Sequence, residues 1–245
     1  MLRGAFACRQ ARRRVCTAPS LLPPRHSGTE RLTLCLDLDE TLIHTTNADD
    51  DAPNFRESSG PEAARAKAEH ADLLRRGQLR TSPVHEFELP YLLSPVYVYK
   101  RPLLDDFLIE AAKFCELVLF SSAAESYVHE CASFLDPQGQ FFEGRLLTRQ
   151  HCSPLSATVT KDLSRIGRPL ERTVLVDDNV ASFMLQADNG IPIRPFFGDP
   201  DDRELGTLLL ELRKLHNDAD VREHLRNSYQ LREKLLGSVR SWRDL

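Results

Sequence analysis

The segment Leu34-Cys35-Leu36-Asp37-Leu38-Asp39-Glu40-Thr41-Leu42 constrains the fold more than any other stretch of this chain. Leu32, Leu34 and Leu36, with Cys35 among them, form an apolar run with no polar face. Such a run reads as an internal parallel strand, which requires a sheet covered on both sides. Asp37 and Asp39 then fall at its carboxyl end, where open α/β sheets bind ligands. A carboxylate pair there suits a nucleophile and a general acid/base, and its hard oxygens suit a divalent cation. An acidic helix start explains an isolated Asp-x-Asp equally well, because carboxylates favour the first helical turn. The string therefore needs partners.

Three further places offer them. Leu117-Val118-Leu119-Phe120 is a second apolar run and closes on Ser121-Ser122; a hydroxyl there can donate to a phosphate oxygen, or simply cap a helix. In Thr160-Lys161-Asp162-Leu163, the lysine suits a point charge against a transferring phosphoryl group, although a lone lysine is more often a solvated surface charge. Val174-Leu175-Val176-Asp177-Asp178-Asn179 is a third apolar run that also ends in paired carboxylates. Two acidic pairs on two strand ends can meet at one cation.

These strings, with Lys100-Arg101-Pro102, Lys161-Asp162-Leu163-Ser164, Arg149-Gln150-His151-Cys152 and Asp188-Asn189-Gly190-Ile191-Pro192-Ile193, resemble the haloacid dehalogenase superfamily. Within it, the chain is similar to the C-terminal-domain phosphatase-like (FCP1 homology domain) family, the group of the small nuclear phosphatases and the dullard-type nuclear envelope phosphatase. The resemblance runs from about Leu32 to about Asn227, apart from Thr46 to Pro95. It implies a haloacid dehalogenase-like Rossmannoid α/β fold: a mainly parallel central sheet, helices on both faces, and an insertion between the first two catalytic motifs.

The resemblance also implies roles. Asp37 would be the nucleophile, forming an aspartyl-phosphate, and Asp39 the general acid and then base. Thr41 would hydrogen-bond within the first loop. Ser121 and Lys161 would hold the phosphoryl oxygens, and Ser122 and Arg101 would contact substrate. Mg2+ would be held by the Asp37 carboxylate, the Asp39 backbone carbonyl and Asp178, with Asp177 close by. The implied substrate is a protein carrying phosphoserine or phosphothreonine. Two alternatives stay open: a small-metabolite phosphatase, and a non-catalytic subunit like the receptor of the mitochondrial inner membrane import machinery. The chain departs from the family in having Ser121 where threonine is usual and Asp178 where asparagine is frequent.

Composition adds bounds. With 245 residues, 41% of them hydrophobic, one domain with a sizeable core is expected. The net charge of -4 gives no drive towards nucleic acid. No apolar run approaches the ~20 residues of a membrane span, so a soluble protein is expected; the oligomeric state is open. The 6 cysteines include no C-x-x-C pair and read as reduced thiols, with Cys35 facing the core.

Residues 1–29 hold no acidic residue but carry Arg3, Arg9, Arg12, Arg13, Arg14 and Arg25. That matches a transit peptide, or a basic leader with a weak nuclear signal at Arg12-Arg13-Arg14. The reading leans to the mitochondrion, with nucleus or cytoplasm as the alternative. The domain boundaries expected are a leader at 1–29, a phosphatase domain at 30–237 with an insertion at 47–95, and a tail at 238–245. Strands are expected over 96–99, 145–147 and 191–193, and helices from Pro102, over 123–135, over 200–216 and over 221–236. In the insertion, an alanine-rich helix is expected from Glu62 towards Arg76. Phe55, Tyr97 and Tyr99 are candidates for an apolar wall beside a peptide substrate or, individually, for core packing.

Overall fold

The computed structural model describes residues 20–25, 31–47, 84–92, 94–155 and 158–241. In chain order the strands are β1 (Leu32–Leu36), β2 (Ile43–Asn47), β3 (His85–Phe87), β4 (Val96–Lys100), β5 (Cys115–Phe120), β6 (Leu146–Leu147), β7 (Ser153–Leu155), β8 (Thr158–Thr160), β9 (Thr173–Asp177) and β10 (Gly190–Pro192). The α-helices are α1 (Leu104–Ala112), α2 (Glu125–Leu135), α3 (Glu204–Leu215), α4 (Val221–Tyr229) and α5 (Leu231–Ser241).

The central sheet has the order β10-β9-β1-β5-β6 and is parallel throughout. β1 lies in the middle with all five residues buried, as its unbroken apolar run requires. Leu34 is opposite Leu117 on one side and Val174 on the other, so β1, β5 and β9 end level. That register brings Asp37, Ser121 and Asp177 to one edge of the sheet. Strand alternation then divides the core. Leu32, Leu34, Leu36, Leu117, Leu119, Val174 and Val176 face the layer formed by α1 to α4, while Cys35, Val118, Phe120 and Leu175 face Leu22, Leu163, Ile166, Phe183 and the Leu231 end of α5. Helices thus cover both faces, four on one side and the last on the other, where single 3-10 turns fill the remaining area.

β2, β4 and β3 form a separate antiparallel sheet. Val96–Tyr99 is a strand as expected, but it belongs here rather than to the central sheet. The return of the insertion is also more ordered than its sequence suggests: His85–Phe87 pairs with β4, and Phe87 and Leu89 are buried. The expected alanine-rich helix and Phe55 lie outside the described residues. A second difference concerns the C-terminus, where a single helix over 221–236 was expected. The chain breaks at Gln230, which adopts a left-handed conformation with φ 49° and separates α4 from α5.

The leader is partly corrected too. Met1 to Pro19 lie outside the described residues, but Ser20 to Arg25 pack onto the domain. Leu21 N donates to Arg165 O at 2.9 Å, Leu22 is 2% exposed, and Arg25 pairs with Glu116 at 2.6 Å. The packed unit therefore begins before residue 30. Cys35, Cys115, Cys131 and Cys152 are buried free thiols; burial pushes Cys35 up to about 12, which keeps it protonated and unreactive. Cys8 and Cys16 lie outside the described residues. Among those residues no helix is long and apolar enough to cross a membrane.

Candidate active site

The loop after β1 is rigid because both ends of it are tied. Asp37 N donates to Val176 O at 3.0 Å, which locks the first acidic loop to the second. Leu38 and Leu42 are fully buried anchors, and the amides of Leu42 and Ile43 both donate to Leu38 O, at 2.9 and 3.1 Å. The chain reverses between them through Glu40 at φ 56°, a left-handed position that costs a non-glycine residue energy and is held only by its surroundings. Here the holding contacts are Glu40 N to Ile43 O and Phe196 N to Glu40 O, each 2.7 Å.

Asp37 is fully buried and meets Lys161, which is 1% exposed. The lysine Nζ lies 2.5 Å from Asp37 Oδ1 and 2.5 Å from Asp177 Oδ2, and 5.6 Å from the centre of the Phe120 ring. A surface role for this lysine is thereby excluded. Asp37, Asp177 and Asp178 each offer one oxygen, and these atoms lie within 4.8 Å of one another. Asn179 N donates to Asp177 Oδ1 at 2.8 Å, fixing the second acidic loop. Lys161 neutralises charge on Asp37 and Asp177, and the three carboxylates are a donor set of the hard-oxygen type that Mg2+ takes. Ligands bound to one cation at about 2.1 Å lie at most about 4.2 Å apart, so a small side-chain adjustment makes the three residues fit it.

Asp39 is also buried, but its carboxylate is held separately from this cluster. The Tyr127 hydroxyl donates to Oδ1, and Ser121 Oγ donates to Oδ2 over a long 3.5 Å. Ser121 is fixed in turn, since Ala123 N donates to its Oγ at 3.0 Å and its own amide donates to Leu147 O at 2.9 Å. Burial pushes Tyr127 well above the usual phenol value, so its proton stays in place as a donor. Sequence reasoning missed Tyr127. The available signal was its position, on the face of the 123–135 helix that also carries Val128 and Cys131, because a buried tyrosine needs a partner for its hydroxyl.

Ser122 is half-buried at the same strand end, and its carbonyl accepts from Arg149 at 3.4 Å. Two expectations from the resemblance need correction. The Thr41 hydroxyl makes no hydrogen bond among the described residues; it is the Thr41 carbonyl that is used, accepting from Arg101 Nη1 at 3.0 Å. Arg101 was expected to contact substrate. Its side chain is instead fully buried against Asp202, with Nε and Nη2 each 2.8 Å from an Asp202 oxygen and Nη2 also donating to Arg194 O at 2.8 Å. The guanidinium is therefore committed to internal partners, tying the first loop to the start of α3.

A parallel α/β sheet with an acidic cluster and a buried lysine at the carboxyl ends of β1 and β9 is the arrangement of the haloacid dehalogenase type, suited to phosphoryl transfer. The chain belongs to the family of NLI interacting factor-like phosphatases, which residues 32–222 match. It is 35% identical over 206 residues to a probable C-terminal domain small phosphatase of Dictyostelium discoideum, covering 83% of this chain and 57% of that protein. It is 31% identical over 213 residues to CTD small phosphatase-like protein 2 of the same organism, covering 87% of this chain and 32% of the relative. With CTD nuclear envelope phosphatase 1B of Danio rerio the identity is 34% over 209 residues, covering 85% and 77%. The chain thus spans about a third to just over half of the length of the two Dictyostelium relatives. Among solved structures, that of Fcp1, an essential RNA polymerase II CTD phosphatase, has a TM-score of 0.58 at 20% identity, covering 80% of this chain and 70% of that one; it bears on the fold alone.

Proposed function

We propose that this chain is a Mg2+-dependent protein serine/threonine phosphatase working through an aspartyl-phosphate. The observation that carries this is the placing of Asp37 within ligand reach of Asp177 and Asp178 while Lys161 bridges Asp37 and Asp177. Asp37 attacks phosphorus, forming the Asp37 Oδ–P bond as the bond from phosphorus to the leaving oxygen breaks. Asp39, protonated at the outset, gives its proton to that oxygen. The carboxylate left behind takes a proton from the water that then attacks phosphorus, which regenerates Asp37 and releases phosphate. Lys161 and Ser121 hold the phosphoryl oxygens as their charge redistributes. Asp37, Asp177, Asp178 and the Asp39 carbonyl would hold Mg2+, which when bound neutralises charge on the phosphoryl group.

A phosphoprotein substrate is supported by the relatives named for phosphatases of a C-terminal domain. Those named for the nuclear envelope favour the nucleus among the addresses that residues 1–29 allow, and lend nothing to the mitochondrial one. Hydrolysis of p-nitrophenyl phosphate tests the mechanism. We expect activity that a chelator removes and Mg2+ restores, and that Asp37→Asn lowers at least about 1000-fold in protein that still folds. A variant as fast as the wild type would end the enzyme reading. Phosphoserine peptides outcompeting small phosphates would support a protein substrate, and the reverse order would overturn it.

A further inference from the structure

Tyr127 touches one of the two carboxylates that do the chemistry, yet it comes from a helix 88 residues further along the chain. It is 6% exposed, its ring lies against Phe87 of β3 at 6.0 Å, and its hydroxyl shares a 3.0 Å hydrogen bond with Thr45 Oγ1 of β2. The phenol is thus held by the antiparallel sheet on one side and by α2 on the other, and its oxygen lies on Asp39 Oδ1. Asp39 Oδ2 faces Ser121 at the end of β5. With Oδ1 held, rotation of the carboxyl group about its Cβ–Cγ bond is restrained, and Oδ2 is kept towards Ser121, the residue assigned to a phosphoryl oxygen. The lone hydroxyl of a buried aromatic residue is a stiff support, because it has only the phenol rotor to lose on ordering.

We propose that Tyr127 is the positioning residue for proton delivery by Asp39, with Thr45 orienting its hydroxyl. This rests on the assignment of Asp39 as the general acid. Its consequence is selective: the proton matters only when the departing oxygen needs one. A poor leaving group, such as a serine alkoxide or unsubstituted phenolate, depends on correct aim. A nitro-activated phenolate leaves unprotonated and does not.

The test is kcat/KM across a series of aryl phosphates graded by phenol acidity, extended to a phosphoserine peptide, for wild type, Tyr127→Phe, Thr45→Val and Asp39→Asn. kcat/KM reports events up to departure of the leaving group, so later hydrolysis of the intermediate does not mask the effect. For Tyr127→Phe we expect a loss of about 10- to 100-fold for the peptide and phenyl phosphate, part of the roughly 100- to 10,000-fold a positioned acid contributes, and less than about 3-fold for dinitrophenyl phosphate. Thr45→Val should shift the same way by a smaller factor, and it decides the matter if Tyr127→Phe does not fold. An equal loss for every leaving group, or no loss, overturns the proposal and leaves Tyr127 a packing residue. If Asp39→Asn itself shows no leaving-group dependence, the acid assignment falls and the proposal falls with it. A leaving-group effect in Asp39→Asn alone sinks only the role of Tyr127.

Discussion

Arg101 and Asp202 show that the first loop is held by a buried ion pair as well as by its own turns. Burial pushes the Asp202 carboxyl up, but the two hydrogen bonds from Arg101 outweigh it and hold the group below the usual carboxylate range. Removing one partner leaves a buried charge, whereas replacing both with apolar residues does not. Arg101→Ala should therefore destabilise by about 3–5 kcal/mol, lowering the melting temperature by roughly 6–20 °C in a domain of this size. Arg101→Met with Asp202→Leu should recover much of that. A melting temperature unchanged in Arg101→Ala would contradict the pairing. The positions of residues at the sheet edge were legible in the sequence where a polar residue closed an apolar run, as Asp37, Ser121, Asp177 and Asp178 do. Contacts were not legible for Arg101, Thr41 or Tyr127, whose partners lie 60 to 101 residues away along the chain and are chosen by packing alone.

At the scale of elements, the strands of the central sheet were readable because burial on both faces leaves an apolar run with no other use. His85-Glu86-Phe87 carries no such pattern; it becomes a strand only because β4 offers it an edge. The helix break at Gln230 was equally hidden, since polar residues on either side continue a helical pattern. Its left-handed backbone is a position that glycine fills without steric cost. Gln230→Gly should raise stability by about 0.5–1 kcal/mol, or roughly 1–4 °C in the melt. A fall would mean that the side chain contributes more than its backbone strain costs.

For the whole molecule, Glu116 on β5 is the tie that joins the first described residues to the sheet. Arg25 and Arg168 pair with it at 2.6 and 2.7 Å. Burial pushes its carboxyl up, but hydrogen bonds from Arg168 and Arg25 win and bring it to about 2. A depressed carboxyl stabilises the fold above its unfolded value, about 4.3, and that contribution is lost as pH falls from there to about 2. Glu116→Gln should therefore flatten the acid limb of a stability-against-pH curve over that window, with a plain loss of stability at neutral pH; an unchanged slope would contradict it. Deleting residues 1–25 should lower the melting temperature relative to deleting 1–19, because only the longer deletion removes Leu22 and Arg25. The central position of β1 has a further consequence, this time in time. Its two neighbours are encoded about 80 and about 140 residues later. At roughly 5–20 residues per second on the ribosome, the first strand waits about 7–30 seconds for the third. Until β5 arrives, an apolar ribbon ending in Asp37 has no strand to pair with, and until β9 arrives it has a partner on one side alone. The acidic cluster is therefore completed late in synthesis, when Asp177 and Asp178 arrive, and a nascent chain cut short before them would hold Asp37 without the two carboxylates that lie beside it.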